Sequence, residues 1–225
     1  HLSTSSADVI TTTQTVIIPA GSQTVDFTVD TLDDFYADSG ETFSVALSDS
    51  SGGGYEAVSL GDEAVVTRID DQIGSDAVAG AEDTALLSLT GATSVDEGLA
   101  ATYTLRVGEP TASDLTVNVV VGHIATVDGD VTPVVRSFVI PAGQSHVSFS
   151  VEAHQDSLVE NSEEFRVSID GFSGGGYEKL GVAQNGVTTV IQDNDTGGVS
   201  ITQSAGTTEV TEGGATDTLM VVLRA

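Results

Sequence analysis

The sequence predicts an all-β chain of tandem antiparallel sandwiches, on three observations: apolar residues that alternate with a period of two, a long segment that returns without a gap, and no amphipathic helical stretch of useful length. Apolar residues or Thr occupy every second position in Tyr103, Leu105, Val107; in Leu115, Val117, Val119, Val121; in Val147, Phe149, Val151; in Phe165, Val167, Ile169; and in Val187, Thr189, Ile191. Such alternation turns one face of a strand toward a core and the other toward water. About seven or eight strands of this kind, separated by Gly, Asp, Asn and Ser turns, describe a two-sheet sandwich of immunoglobulin-like architecture.

The repeat sets the domain boundaries. Ile18-Pro19-Ala20-Gly21 recurs as Ile140-Pro141-Ala142-Gly143, and 140 − 18 gives an offset of 122. Residues 18–56 and 140–178 share 17 identities in 39 gap-free positions, ending on Gly-Gly-Gly-Tyr-Glu in both copies. A second echo links Val95-Asp96-Glu97-Gly98 to Val210-Thr211-Glu212-Gly213. Residues 1–71 are therefore expected to be the C-terminal part of one repeat, 84–195 a complete repeat, and 196–225 a joint with the opening strands of the next. Residues 72–83 form an acidic, Gly-containing joint. A chain that opens on His1, with neither initiator Met nor leader, is expected to be a window on a longer protein.

Composition narrows the function. Asp and Glu number 34 against 6 Lys and Arg, for a net charge of −28. The cations stand singly, which excludes the basic cluster that nucleic-acid binding needs, and an acidic surface is repelled by anionic lipid. No apolar run approaches a membrane span, so no direct membrane insertion is expected. Without Cys the chain has neither disulfides nor thiolate metal ligands. An extracellular domain lacking disulfides needs another staple, and metal is the usual one.

The acidic residues are not dispersed along the outward strand positions. Within 84–195 they bunch at Asp96-Glu97, at Asp128 and Asp130, from Asp156 through Glu164, and at Asp193-Asn194-Asp195. With strand A beginning near Thr84, these are the A/B, C/D and E/F loops and the end of strand G, all at one pole of an antiparallel sandwich. Carboxylates gathered this way repel one another and raise one another's pKa. Calcium relieves that strain with 6–8 oxygen ligands, and an all-oxygen donor set disfavours zinc and copper. The bland alternative is a solvated, halophile-like acidic surface.

Taken together, Ser94-Val95-Asp96-Glu97-Gly98, the Ile-Pro-Ala-Gly turn, Asp156…Glu160…Glu163-Glu164-Phe165 and Ile191-Gln192-Asp193-Asn194-Asp195 resemble Calx-beta domains. With Ser-Gly-Gly-Gly-Tyr-Glu added, the chain resembles the tandem extender repeats of large RTX-type bacterial biofilm adhesins. The resemblance implies Ca2+ held at one pole by Glu97, Asp128, Asp130, Asp156, Glu160, Glu163, Asp193 and Asp195, and in the partial repeat by Asp8, Asp34, Asp38, Glu41 and Asp71. It departs from the pattern at Ser6, which stands where Asp128 does, and at Asn194, which replaces an acid of the commoner ending.

These readings lead to a non-enzymatic, extracellular protein of the bacterial cell surface: a calcium-stabilised spacer that holds a distal adhesive module away from the cell. The alternatives are a calcium-sensing Calx-beta regulatory domain and a glycan- or protein-binding module, the latter disfavoured by outward faces of Ser, Thr and Gln without an aromatic platform. Catalysis has no support. Glu163 and Glu164 are adjacent on a strand and face opposite ways, and His146 and His154, read on one strand face, lie about 27 Å apart. The triple glycines lack the Lys-Ser/Thr of a phosphate loop and are expected to form a positive-φ turn over the Tyr. Expected partners are the neighbouring repeats of the same chain and, for an isolated fragment, head-to-tail self-association in which residues 199–225 of one copy complete residues 1–71 of another.

Overall fold

The computed structural model describes residues 2–4, 8–37, 40–61, 64–70, 83–126, 129–203, 210–214, 216 and 218–224. Asp38, Asp71 and Asp128 lie outside the described residues. The strands in chain order are β1 (Leu2–Thr4), β2 (Thr42–Val45), β3 (Val65–Arg68), β4 (Thr84–Gly91), β5 (Ser94–Asp96), β6 (Ala100–Val107) and β7 (Leu115–His123). They continue with β8 (Val134–Ile140), β9 (His146–Glu152), β10 (Glu163–Gly174), β11 (Lys179–Gln184), β12 (Gly186–Gln192), β13 (Gly198–Gln203) and β14 (Leu219–Arg224). No helix occurs among the described residues.

The central sandwich has a five-stranded sheet in the order β5-β12-β10-β7-β8 and a four-stranded sheet in the order β11-β4-β6-β9. Pairing is antiparallel except for β11 with β4 and β5 with β12, which run parallel. The alternation read from the sequence becomes the core. Leu87, Leu89, Tyr103, Leu105 and Val107 of one sheet bury fully against Leu115, Val117, Phe165 and Val167 of the other. Tyr103, Phe149 and Phe138 stack in series within this core. The two sheets are also joined by a polar bond, Tyr103 Oη to Thr189 Oγ1.

The strand after the acidic loop runs further than its alternation suggests. β10 reaches Gly174, and its register on β7 shifts between Ile169 and Gly171, so that a bulge at Asp170 carries the strand onward.

The N-terminal piece keeps only part of this pattern. β1, β2 and β3 form a small antiparallel sheet, with Val9 and Phe43 as its buried core. The Ile-Pro-Ala-Gly turn closes identically in both copies, Ser22 N donating to Pro19 O and Gln144 N to Pro141 O, each at 2.9 Å. Val25, Phe27 and Val29 nevertheless lie outside any strand, whereas Val147, Phe149 and Val151 form β9. β9 pairs along its whole length with β6, whereas residues 24–30 pair with no strand among the described residues. Val16, Val25 and Phe27 are correspondingly exposed, while Phe149 is buried and Phe138 and Val147 are half-buried.

At the other end β13 and β14 form a hairpin with Val199 opposite Leu223 and Ile201 opposite Val221. These pairs repeat Leu87 opposite Val107 and Leu89 opposite Leu105 in β4 and β6. The central four are fully buried; the terminal four are exposed.

Candidate cation site

Strand ends and tight turns bring the acidic residues of the central sandwich to one pole. Glu97 follows β5 in a turn that Gly98 closes at φ +78°, and a Cβ on Gly98 would lie 2.7 Å from Gln155 Oε1. The turn is tied down by Glu97 N donating to Gln192 O at 3.0 Å and Gly98 N to Ala153 O at 3.1 Å. Asp130 sits buried in the loop between β7 and β8, where its carbonyl accepts His154 N at 2.8 Å. Glu163 opens β10 with the inward parity of Phe165 and Val167, so its carboxyl closes the end of the core while Glu164 faces solvent.

Two carboxylate trios result. Glu97, Asp193 and Asp195 place one oxygen each within 4.8 Å of one another, as do Asp130, Glu160 and Glu163. Five of the six residues, Glu97, Asp130, Glu160, Glu163 and Asp193, line one small cavity together with His154, Asn161 and Ile191, and no Lys or Arg lines it. Asp156 joins through the backbone, its N–H donating to Glu97 Oε1 at 2.7 Å. Glu160 N donates to Asp193 Oδ2 at 3.2 Å, and Asp195 N to Asp193 Oδ1 at 3.2 Å.

The electrostatics follow from that crowding. Burial, a hydrogen bond shared with Asp130 and the negative charges of Asp130, Glu160 and Asp156 push the Glu163 carboxyl up to about 7. Desolvation and the charges of Asp156, Asp130, Glu97 and Asp193 also raise Glu160. Glu97 Oε2 is buried without a hydrogen-bond partner. A buried carboxylate oxygen with nothing to accept from is costly, and a hard cation is the partner that an all-oxygen set suits.

Of the residues named from the sequence in this repeat, Glu97, Asp130, Glu160, Glu163, Asp193 and Asp195 fall in the trios and Asp156 borders them. The N-terminal piece reproduces parts of the arrangement. Leu32 N donates to Asp8 O at 2.5 Å, as His154 N does to Asp130 O, and Glu41, the counterpart of Glu163, also has a buried oxygen (Oε2) without a partner. Asp34 Oδ1 accepts Tyr36 N at 2.7 Å, and its counterpart Asp156 Oδ1 accepts Leu158 N at 2.7 Å.

Three polar side chains outside the carboxylate set, His154, Gln155 and Asn194, also build the pole. His154 was expected on an outward strand face but lies beyond the end of β9, where Nδ1 donates to Gly129 O at 2.9 Å and the ring lines the cavity. Gln155 Nε2 donates to Asp195 Oδ2 at 3.2 Å, and Asn194 Nδ2 donates to Glu97 O at 2.9 Å and to Gln155 Oε1 at 3.1 Å. Asn194 thus does with an amide what another acid could not: it donates to the turn that holds Glu97. The strand-end position of His154 was the one available signal, since period-two parity lapses where pairing stops.

Residues 83–196, just over half of the chain, match the LapA domain. The chain belongs to the LapA domain family. This family is associated with biofilm adhesins, and an adhesin domain of this kind belongs to a cell-surface protein. No curated protein matches the chain in sequence. Among solved structures, the apo form of the Calx CBD1 domain aligns at TM-score 0.45 and 16% identity, over 50% of this chain and 100% of that one. CBD12 from CALX1.2 aligns at 0.44 and 17% identity, over 49% of this chain and 46% of that one. The calcium binding domain CBD12 of CALX1.1 aligns at 0.43 and 20% identity, over 52% and 50%. The chain spans about half the length of the CBD12 chains it matches. No helix among its described residues is long and apolar enough to cross a membrane.

Proposed function

We propose that the chain is a run of calcium-stabilised spacer repeats from a large bacterial adhesin, holding a distal adhesive module away from the cell surface. The reading is non-enzymatic. The observation that carries it is Glu97 Oε2, buried and unpartnered in a residue whose carboxylate also groups with those of Asp193 and Asp195. In this reading Glu97, Asp193 and Asp195 hold one Ca2+, and Asp130, Glu160 and Glu163 a second, with Asp156 at their border. Asp128, Asp8, Asp34, Asp38, Glu41 and Asp71 complete the proposed ligand set of this and the preceding repeat. The ion supplies charge cancellation at the pole; the protein supplies turns, through Gly98 and Asn194, that hold the oxygens in place.

Metal that binds only the folded state stabilises it by about 2.7 kcal/mol per site at one hundred times Kd. Thermal scans in calcium and in chelator test the reading. Several sites together are expected to separate the melting temperatures by about 10 °C or more. Scans that overlay would overturn it.

A further inference from the structure

The N-terminal piece meets the central sandwich through backbone bonds and aromatic rings rather than through carboxylates. Tyr36 and Tyr177 form an antiparallel β-bridge, with Ala37 N donating to Gly176 O at 2.9 Å and Glu178 N to Phe35 O at 3.1 Å. Their rings stack at 5.9 Å, and Tyr36 Oη donates to Pro110 O at 2.7 Å. Tyr177 is the tyrosine of the second Gly-Gly-Gly-Tyr turn. Its three glycines stand at φ +87°, +93° and +75°, and a Cβ on Gly175 would lie 2.9 Å from the Tyr177 ring. The glycines thus let backbone lie directly over the ring, and Phe35 and Tyr36 from the preceding repeat press on the same corner of the core.

Each half of this joint exists a second time, open. The first Gly-Gly-Gly-Tyr turn has φ +87°, +81° and +71°, with the same 2.9 Å approach of Gly53 to the Tyr55 ring. Yet Tyr55 is 76% exposed where Tyr177 is 9%. The counterparts of Tyr36 and Ala37 are Leu158 and Val159, set by the same Asp turn and 57% and 56% exposed. Leu158 carries no hydroxyl and needs no acceptor in the place of Pro110. The exposed β13–β14 hairpin follows in the same chain, and its register repeats that of buried β4–β6.

We propose that the Gly-Gly-Gly-Tyr turn is the socket by which one repeat seats on the one before it, and that, when residues 1–225 stand as an isolated molecule, the open plug at Leu158 and Val159 takes the Gly52–Tyr55 turn of a second copy. The hairpin of the first copy then lies beside residues 24–30 of the second, which occupy the place of β9 and want a neighbour. The inference rests on the tandem-spacer reading; the joint itself is made of backbone bonds and rings, while Asp34 and Asp156, which set its plug, belong to the proposed ligand set.

Cysteine trapping in the full chain tests it. The Tyr36–Tyr177 bridge is a pair of the kind not joined to each other by backbone hydrogen bonds, where Cα atoms approach to about 4.5 Å, within disulfide range. Tyr36→Cys with Tyr177→Cys should close within one chain. Leu158→Cys with Tyr55→Cys should give a ladder of linked chains at least tenfold faster than Ser150→Cys with Tyr55→Cys, which places one cysteine on the outward face of β9. Adding Val221→Asp should abolish the ladder while leaving the intrachain Tyr36→Cys/Tyr177→Cys bond intact. A ladder no faster than the control, or one indifferent to Val221→Asp, overturns the proposal. Closure within the chain but no calcium effect on melting would remove the cation reading and keep the joint; the reverse result would do the opposite.

Discussion

Glu97 accepts the backbone N–H of Asp156 through Oε1 at 2.7 Å and leaves Oε2 buried with no partner. One oxygen therefore fixes the loop that carries Asp156 while the other stays unsatisfied, in a carboxylate that groups with those of Asp193 and Asp195. Glu97→Gln separates these roles. The amide oxygen can still take the Asp156 N–H, and the new N–H groups can donate to the neighbouring carboxylates. In chelator the variant should melt at or above the wild type, by up to about 1 kcal/mol of hydrogen bonding. In calcium it should lose much of the metal-dependent rise. A variant that melts lower in chelator and keeps the full rise would show that Oε2 is not part of a cation site.

In the proposed reading, proton and cation compete at Glu163. Its folded pKa stands at about 7, above the ordinary carboxyl value of 4.5, so the folded state binds more protons between those limits. Without metal this group's contribution is fully present below about pH 4.5 and is lost as pH rises through about 7. Melting temperature in chelator should therefore fall from pH 5 to pH 8, and Glu163→Gln should flatten that slope. Calcium affinity should run the other way and weaken as pH drops below about 7. Titration calorimetry at pH 6 and pH 8 with equal affinities would contradict the assignment.

The pole was legible because strand counting needs only alternation and turns, both plain between Thr84 and Ile191. Glu97, Asp130, Glu163 and Asp193 could be placed together before any contact was seen. Alternation alone does not make a strand at residues 24–30, where Val25, Phe27 and Val29 match Val147, Phe149 and Val151 yet lie outside any strand. A strand is a property of its neighbour as much as of its own residues. The Tyr36–Tyr177 joint was not legible for a different reason: its plug is Phe-Tyr-Ala in one copy and Ser-Leu-Val in the other, so identity between copies does not mark it. What the copies share there is Asp34 and Asp156, which set the turn rather than fill the socket.

The inter-sheet bond should show an asymmetry. Thr189 Oγ1 donates to Ala92 O at 2.7 Å, so its proton is committed and the fully buried Tyr103 hydroxyl must be the donor to it. Tyr103→Phe removes one bond and leaves Thr189 its acceptor, a loss of about 1 kcal/mol. Thr189→Val leaves the Tyr103 hydroxyl buried without a partner, and should cost about 1–3 kcal/mol. Denaturant melts that put Tyr103→Phe below Thr189→Val in stability would reverse the donor assignment.

Three glycines of the central sandwich should answer differently to the same methyl group. Gly122 lies within β7 with open space around it, so Gly122→Ala should be neutral or stabilising by a few tenths of a kcal/mol, through the unfolded chain. Gly143 has equal room but a φ of +76°, and Gly143→Ala should cost about 1–2 kcal/mol from backbone strain alone. Gly174 combines a φ of +87° with a Cβ position 2.3 Å from Asp114 O, a backbone atom that cannot swing aside. Gly174→Ala should therefore be the most damaging of the three and should also displace the turn that seats Tyr177. Equal melting temperatures for Gly143→Ala and Gly174→Ala would mean that the loop before β7 yields to the methyl group and that the socket is softer than its glycines imply.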